Sequence, residues 1–102
     1  MILGSFTVIS NANGDCTVEG GVDLRVDCAG GRGWVTGWIG QTRFFANCWS
    51  SRLDGEVQGL NIRMFLDPIS QRDYLLSGWI GSTSVSWTSF GDRVISGYVC
   101  LR

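Results

Sequence analysis

The feature that most narrows what this chain can fold into is a five-residue pattern of apolar, polar, glycine, any residue, apolar, which returns along its length. It reads Val18-Glu19-Gly20-Gly21-Val22, Val35-Thr36-Gly37-Trp38-Ile39, Leu53-Asp54-Gly55-Glu56-Val57, Leu76-Ser77-Gly78-Trp79-Ile80 and Ile95-Ser96-Gly97-Tyr98-Val99. The central glycines lie 17, 18, 23 and 19 residues apart, and Ile2-Leu3-Gly4-Ser5-Phe6 is a sixth candidate 16 residues before the first. A recurrence of this kind means repeated supersecondary units that share one core. Two copies match further, as Gly37-Trp38-Ile39-Gly40 and Gly78-Trp79-Ile80-Gly81, followed by Thr42 and Thr83.

Between the copies the chain alternates with period two. Val22, Leu24, Val26 and Cys28 share one face of a strand and Asp23, Arg25 and Asp27 the other, and Leu60 to Leu66 behaves in the same way. Turn-forming stretches fall at Asn11 to Asp15, Ala29 to Gly33, Ser50 to Arg52, Asp67 to Asp73 and Ser89 to Asp92. Tighter hairpins fit Gly20-Gly21, Gly40-Gln41, Gln58-Gly59 and Gly81-Ser82, where glycine supplies the positive φ that two-residue turns require. The expectation is an all-β antiparallel meander of about ten short strands built from a repeated hairpin unit. Such a meander closes into a small up-and-down barrel, with a two-sheet sandwich as the alternative, because open edges invite aggregation. The last strand is a copy of the unit and the first resembles one, so either closure within the chain or pairing between chains completes the sheet.

The 102 residues suit a single all-β domain spanning 1–102. Fifteen glycines against one proline, together with twelve aromatics, are the composition of a packed chain and not of a disordered one. The apolar runs are far shorter than the roughly 20 residues a membrane-spanning helix needs, and Met1 to Ser10 lacks the basic region of a secretory signal. Neither a signal peptide nor a transmembrane helix is expected, and no membrane partner. All eight basic residues are arginines, no two adjacent, and the net charge is −1. That distribution offers no footprint for nucleic acid.

With no histidine and no lysine in the chain, histidine-assisted nucleophiles, lysine Schiff bases and histidine-ligated metals are excluded. Cys16, Cys28, Cys48 and Cys100 are spaced by 12, 20 and 52 residues with no CxxC pair, so no zinc site or other cofactor is expected. Two disulfides or four buried thiols both remain open. Paired carboxylates are the remaining acid-base chemistry. Asp54 with Glu56, and Asp23 with Asp27, are the pairs that a carboxylate-dependent hydrolase would use, although both read more simply as the solvated face of a strand. The glycine-rich stretch Ala29 to Gly33 has neither phosphate-loop signature nor helix start, and reads as a hairpin loop.

The residue after each repeat glycine points outward if the flanking aliphatics point inward. Trp38, Trp79 and Tyr98 fill that position, and Trp34 shares a face with Trp38. Large aromatics recurring on an outer face need a partner. The leading expectation is a non-enzymatic binding or assembly module that forms a homo-oligomer through Trp34, Trp38, Trp79 and Tyr98, in keeping with the enrichment of aromatics and arginine in interface cores. A carbohydrate or other flat small molecule stacking on the same rings is the alternative. A third arrangement puts the rings in the core, because a slip of one residue exchanges the two faces.

Overall fold

The computed structural model describes residues 16–102. The sixth repeat candidate around Gly4 and the turn expected at Asn11 to Asp15 lie outside the described residues. Eight antiparallel strands in chain order form a closed barrel: β1 Val18–Asp27, β2 Arg32–Ile39, β3 Thr42–Trp49, β4 Arg52–Val57, β5 Leu60–Pro68, β6 Tyr74–Ile80, β7 Thr83–Phe90 and β8 Arg93–Leu101. A 3-10 turn over Ala29–Gly31 joins β1 to β2. Every strand pairs with its neighbour in sequence, and β1 pairs with β8 from Val18↔Leu101 to Arg25↔Arg93 to close the wall. Among the described residues no helix is long and apolar enough to cross a membrane.

The barrel is as expected, but it has eight strands among the described residues where about ten were anticipated. The main reason is Gly20-Gly21. The two glycines do not turn the chain, and β1 runs through them with a bulge where Gly20 faces Val99 and Val22 faces Ser96. Two residues of β1 advance against three of β8, so β8 carries the extra residue, and a bulge absorbs such a mismatch by bending the strand without ending it. The other tight turns fall where expected. Gln58 and Gly59 both take positive φ (52° and 82°), as do Ser50 and Ser51 (54° and 68°), the backbone that matches the twist of the strands.

The same bulge changes the phase of the fifth repeat copy. In β2, β4 and β6 the flanking aliphatics Val35 and Ile39, Leu53 and Val57, Leu76 and Ile80 are buried, as the pattern demands. In β8, Val94 is buried instead and Ile95 stands 71% exposed. The expectation that every copy turns its aliphatics inward therefore fails at Ile95.

The core fills the barrel. Leu24, Phe44, Met64 and Trp87 occupy its middle, with Phe44 and Trp87 packed edge to face at 6.2 Å between ring centres. The glycine of the repeat makes this packing fit. Gly37 is paired between Leu24 and Phe44, Gly55 between Ala46 and Ile62, and Gly78 between Met64 and Val85. A small barrel needs small residues beside large ones on its inner wall, and that steric demand accounts for the regular return of glycine.

Candidate functional site

Among the described residues the interior-facing side chains are apolar, and the charged and aromatic groups considered for binding lie on the outer wall and the loops. Trp34, Trp38, Trp79 and Tyr98 all project outward and are each 40–50% exposed, so the alternative in which the rings form the core does not hold. Trp87 is the one tryptophan of five that turns inward. The four named residues do not form one patch. Trp34 and Trp38 share β2, Trp79 stands on β6, four strands away around an eight-stranded wall, and Tyr98 lies beside the bulge of β8.

A denser aromatic surface forms where sequence reasoning did not look. Phe45 and Trp49 on β3 also point outward and lie beside Trp34 and Trp38. Strand β2 presents Arg32, Trp34, Thr36 and Trp38 outward, and β3 presents Arg43, Phe45, Asn47 and Trp49. Each strand thus reads arginine, aromatic, polar, tryptophan. Their antiparallel register pairs Arg32 with Trp49, Trp34 with Asn47, Thr36 with Phe45 and Trp38 with Arg43. A half-turn about the centre of this hairpin exchanges the two strands and returns the same pattern. At either end an arginine stacks on a tryptophan: Arg32 lies 4.4 Å from the Trp49 ring centre and Arg43 5.6 Å from that of Trp38. The signal was in the sequence, since Cys48 inward requires Trp49 outward, but the adjacent Phe44-Phe45 leaves the phase of β3 ambiguous.

The β6–β7 hairpin, built on the second Gly-Trp-Ile-Gly copy, lacks this surface. At the positions of Arg43, Phe45 and Asn47 it carries Ser84, Ser86 and Thr88. One hairpin scaffold therefore carries two surfaces, one aromatic and one hydroxyl-rich. A groove of about 330 Å³ lies at the loop end of the aromatic surface, lined by Gly30, Gly31, Arg32, Trp49 and Ser50.

No family model, curated protein or solved structure matches this chain. The candidate site is therefore defined by geometry and chemistry.

The carboxylate pairs sit on the outer wall. Asp54 and Glu56 are exposed on β4, with Asp54 opposite Asn47 and Arg63, and Glu56 opposite Phe45 and Asn61. Asp23 and Asp27 are likewise exposed on β1. The countercharges come from across the closure and not from along β1: Asp23 accepts from Arg93 at 2.6 Å, and Arg25 reaches Asp92 at 3.7 Å. Both pairs lie across the β1–β8 closure. Arg25, Arg43 and Arg63 are dispersed over the wall, with Arg25 beside Asp92, Arg43 on Trp38 and Arg63 opposite Asp54. No cluster of three or more metal-ligating side chains occurs among the described residues.

Of the four cysteines, Cys16 and Cys100 form a disulfide, while Cys28 and Cys48 are buried free thiols. Gly33 pairs with Cys48 next to Cys28, so the two thiols meet over a residue without a side chain. Burial, reinforced by the neighbouring Cys48, pushes the Cys28 thiol well above its ordinary range. An acid whose pKa is raised by folding contributes stability below the unfolded-state value and loses it above. Stability is therefore expected to fall as pH rises past about 8.5, where the unfolded thiol ionises and the folded one does not. Urea midpoints at pH 7 and pH 10 for the native chain and for Cys28→Ala measure this. The pH-dependent loss should be smaller in the variant, and equal losses would contradict it.

Proposed function

We propose that the protein is a non-enzymatic assembly module that pairs with a second copy of itself through the β2–β3 aromatic surface. The supporting observation is the internal two-fold pattern of that surface. A symmetric dimer interface must be self-complementary, with residue i meeting j while j meets i. Packed face to face about a two-fold axis lying in the interface plane, such a strip sets each arginine of one copy against a tryptophan of the other. Half-exposed aromatics surround the polar centre at Thr36 and Asn47, and each end carries an arginine stacked on tryptophan, the composition of an interface core. The wall as a whole is unlike a lipid-facing barrel, whose outer band is apolar and whose lumen is polar. Here the lumen is apolar, and Asp23, Arg25, Asp54 and Arg63 stand outside.

The native chain is expected to sediment as a dimer at tens of micromolar. Trp34→Ala with Trp49→Ala should weaken association at least tenfold, because aromatic anchors carry most of the energy of such interfaces. Trp79→Ala, on the far wall, should leave association unchanged. A native chain that is monomeric at 100 micromolar would end this reading.

A carbohydrate-binding reading is favoured by one feature, the 330 Å³ groove in which the Trp49 ring and the Arg32 guanidinium lie beside Ser50. It predicts saccharide binding by the monomer that Trp49→Ala removes. The carboxylate hydrolase finds less support, because a convex wall encloses no substrate around Asp54 and Glu56.

A further inference from the structure

Cys16 and Cys100 are joined, which leaves Cys28 and Cys48 as the free thiols, and the fold brings these two together. One step past Asp27↔Trp34, Cys28 comes opposite Gly33, and Gly33 is paired on its other side with Cys48. In a flat sheet, strands two apart are separated by about 10 Å, whereas the Cα atoms of a disulfide lie within about 7 Å of each other. The barrel narrows this gap at Gly33. A Cβ built there would meet the Asp27 carbonyl and lie 3.4 Å from the Cys28 Cα, so the end of β1 fills the space in which a side chain would stand. Cys28 thus leans over Gly33 onto Cys48, and the two buried thiols touch.

The rest of the approach is open to Cys28. It lies just past the end of β1, its carbonyl accepting from the Gly31 N–H at 3.0 Å, and the turn after it contains Gly30 and Gly31. Glycine gives that segment the freedom to shift without parting the ladder. A recess of about 300 Å³, lined by Ala29, Arg72, Tyr74 and Asp92, reaches Cys28 from outside.

We propose that Cys28 and Cys48 form a second, oxidation-dependent disulfide that staples the Ala29–Gly31 turn to the end of β3. The oxidant is a small-molecule disulfide. The Cys28 sulfur gives up its proton, attacks one sulfur of that disulfide and expels the other as a thiolate, which takes up the proton. The Cys48 sulfur then attacks Cys28 in the mixed disulfide, and its proton passes to the second departing thiolate. Two protein thiols are oxidised to one disulfide, and one small-molecule disulfide is reduced to two thiols. Burial keeps Cys28 protonated, so the first exchange is slow in the folded barrel.

The staple adjoins the groove at the loop end of the aromatic surface. Gly30 and Gly31 form one wall of that groove and Trp49 and Ser50 the other, and the Ser50 N–H donates to the Gly31 carbonyl at 2.8 Å between them. Cys28 stands two residues before the first wall, and Cys48 immediately before the second. Closure therefore ties the walls together covalently. With Cys16–Cys100 before the start of β1 and Cys28–Cys48 past its end, oxidation secures both ends of the strand that closes the barrel. The crosslink forms or fails to form whatever the β2–β3 surface binds.

Peptide mapping of the full chain tests this. The native protein, with Cys16–Cys100 intact, is incubated with oxidised glutathione, alkylated in denaturant without reduction and cleaved after arginine. Peptides 26–32 and 44–52, which carry Cys28 and Cys48, should appear joined, and the alkylatable thiols should fall from two to none. Amides of Ala29–Gly31 should then exchange with solvent at least about tenfold more slowly than before oxidation. In Cys48→Ala the same treatment should leave those amides unchanged. Thiols that stay alkylatable in the native chain would overturn the proposal, as would glutathione adducts in place of the joined peptides, or Cys28 joined to Cys16 or Cys100. A joined pair whose turn still exchanges at the earlier rate would overturn the stapling.

Discussion

The double replacement Cys16→Ser with Cys100→Ser is expected to lower the unfolding free energy by about 4.5 kcal/mol. The disulfide joins residues 84 apart in sequence whose Cα atoms lie 5.3 Å apart, and in the chain-entropy description a closed loop of that size restricts the unfolded ensemble by about that much. Its position in the topology sharpens the expectation. Every other ladder joins strands adjacent in sequence, so closure of the barrel depends on the one ladder between β1 and β8. The disulfide clamps the open end of that ladder, beside Val18↔Leu101 and Glu19↔Cys100. With it intact, the unfolded chain already holds the distant ends together; without it, folding must bring them together unaided, and the rate should fall too. Against a total stability of about 5–15 kcal/mol for a domain, this is a large share. Urea titrations of the native and doubly substituted chains measure it. The variant should show a lower midpoint and a steeper slope, because its unfolded state is more expanded. Coincident curves would mean that the β1–β8 ladder holds the closure alone.

The wall of the barrel was legible in the sequence because two independent periods agreed. Alternation placed Val22, Leu24, Val26 and Cys28 inside, and the glycine unit placed Trp38 and Trp79 outside. Both hold, since an eight-stranded closed sheet leaves one face for the core and the other for everything else. The alternation could not reveal where a strand absorbs an extra residue. Gly20-Gly21 has the composition of a hairpin turn, and it stays within β1 because β8, some 75 residues later, pairs along it and takes up the bulge. Long-range pairing decided the matter, and it also turned Ile95 outward. The aromatic surface was half legible. Trp34 and Trp38 came from the repeat, but Phe45 and Trp49 complete the two-fold pattern only once the β2–β3 register is known. The pairing of Cys16 with Cys100 was likewise beyond reach, because spacing alone admits three connectivities and only closure of the barrel brings those two together.

The repeat glycines provide the second large effect, and they supply their own control. Gly37→Ala would place a methyl group against the Asp23 carbonyl oxygen and 2.8 Å from the Leu24 Cα, at a φ of 155° that other residues rarely adopt. Gly78→Ala would meet the Arg63 carbonyl oxygen, with the Met64 Cα at 2.7 Å and φ at 147°. The obstructing atoms are backbone on the neighbouring strand, so no side chain can swing aside. Relief requires the ladder itself to separate beside Leu24 or Met64, which sit fully within the core. Backbone strain and overpacking each cost about 1–3 kcal/mol, so either substitution should destabilise by about 3–5 kcal/mol, and the pair together should leave no folded barrel. Gly97 holds the same place in the β8 copy, yet its φ is unrestricted and nothing lies near a Cβ built there. Gly97→Ala should therefore change stability by no more than about 1 kcal/mol. Thermal unfolding of the three single variants separates two accounts of the repeat. If glycine is there for flexibility along each strand, the three should resemble one another. If it is there to let neighbouring strands and the large residues of the interior approach, Gly37→Ala and Gly78→Ala should melt far below Gly97→Ala.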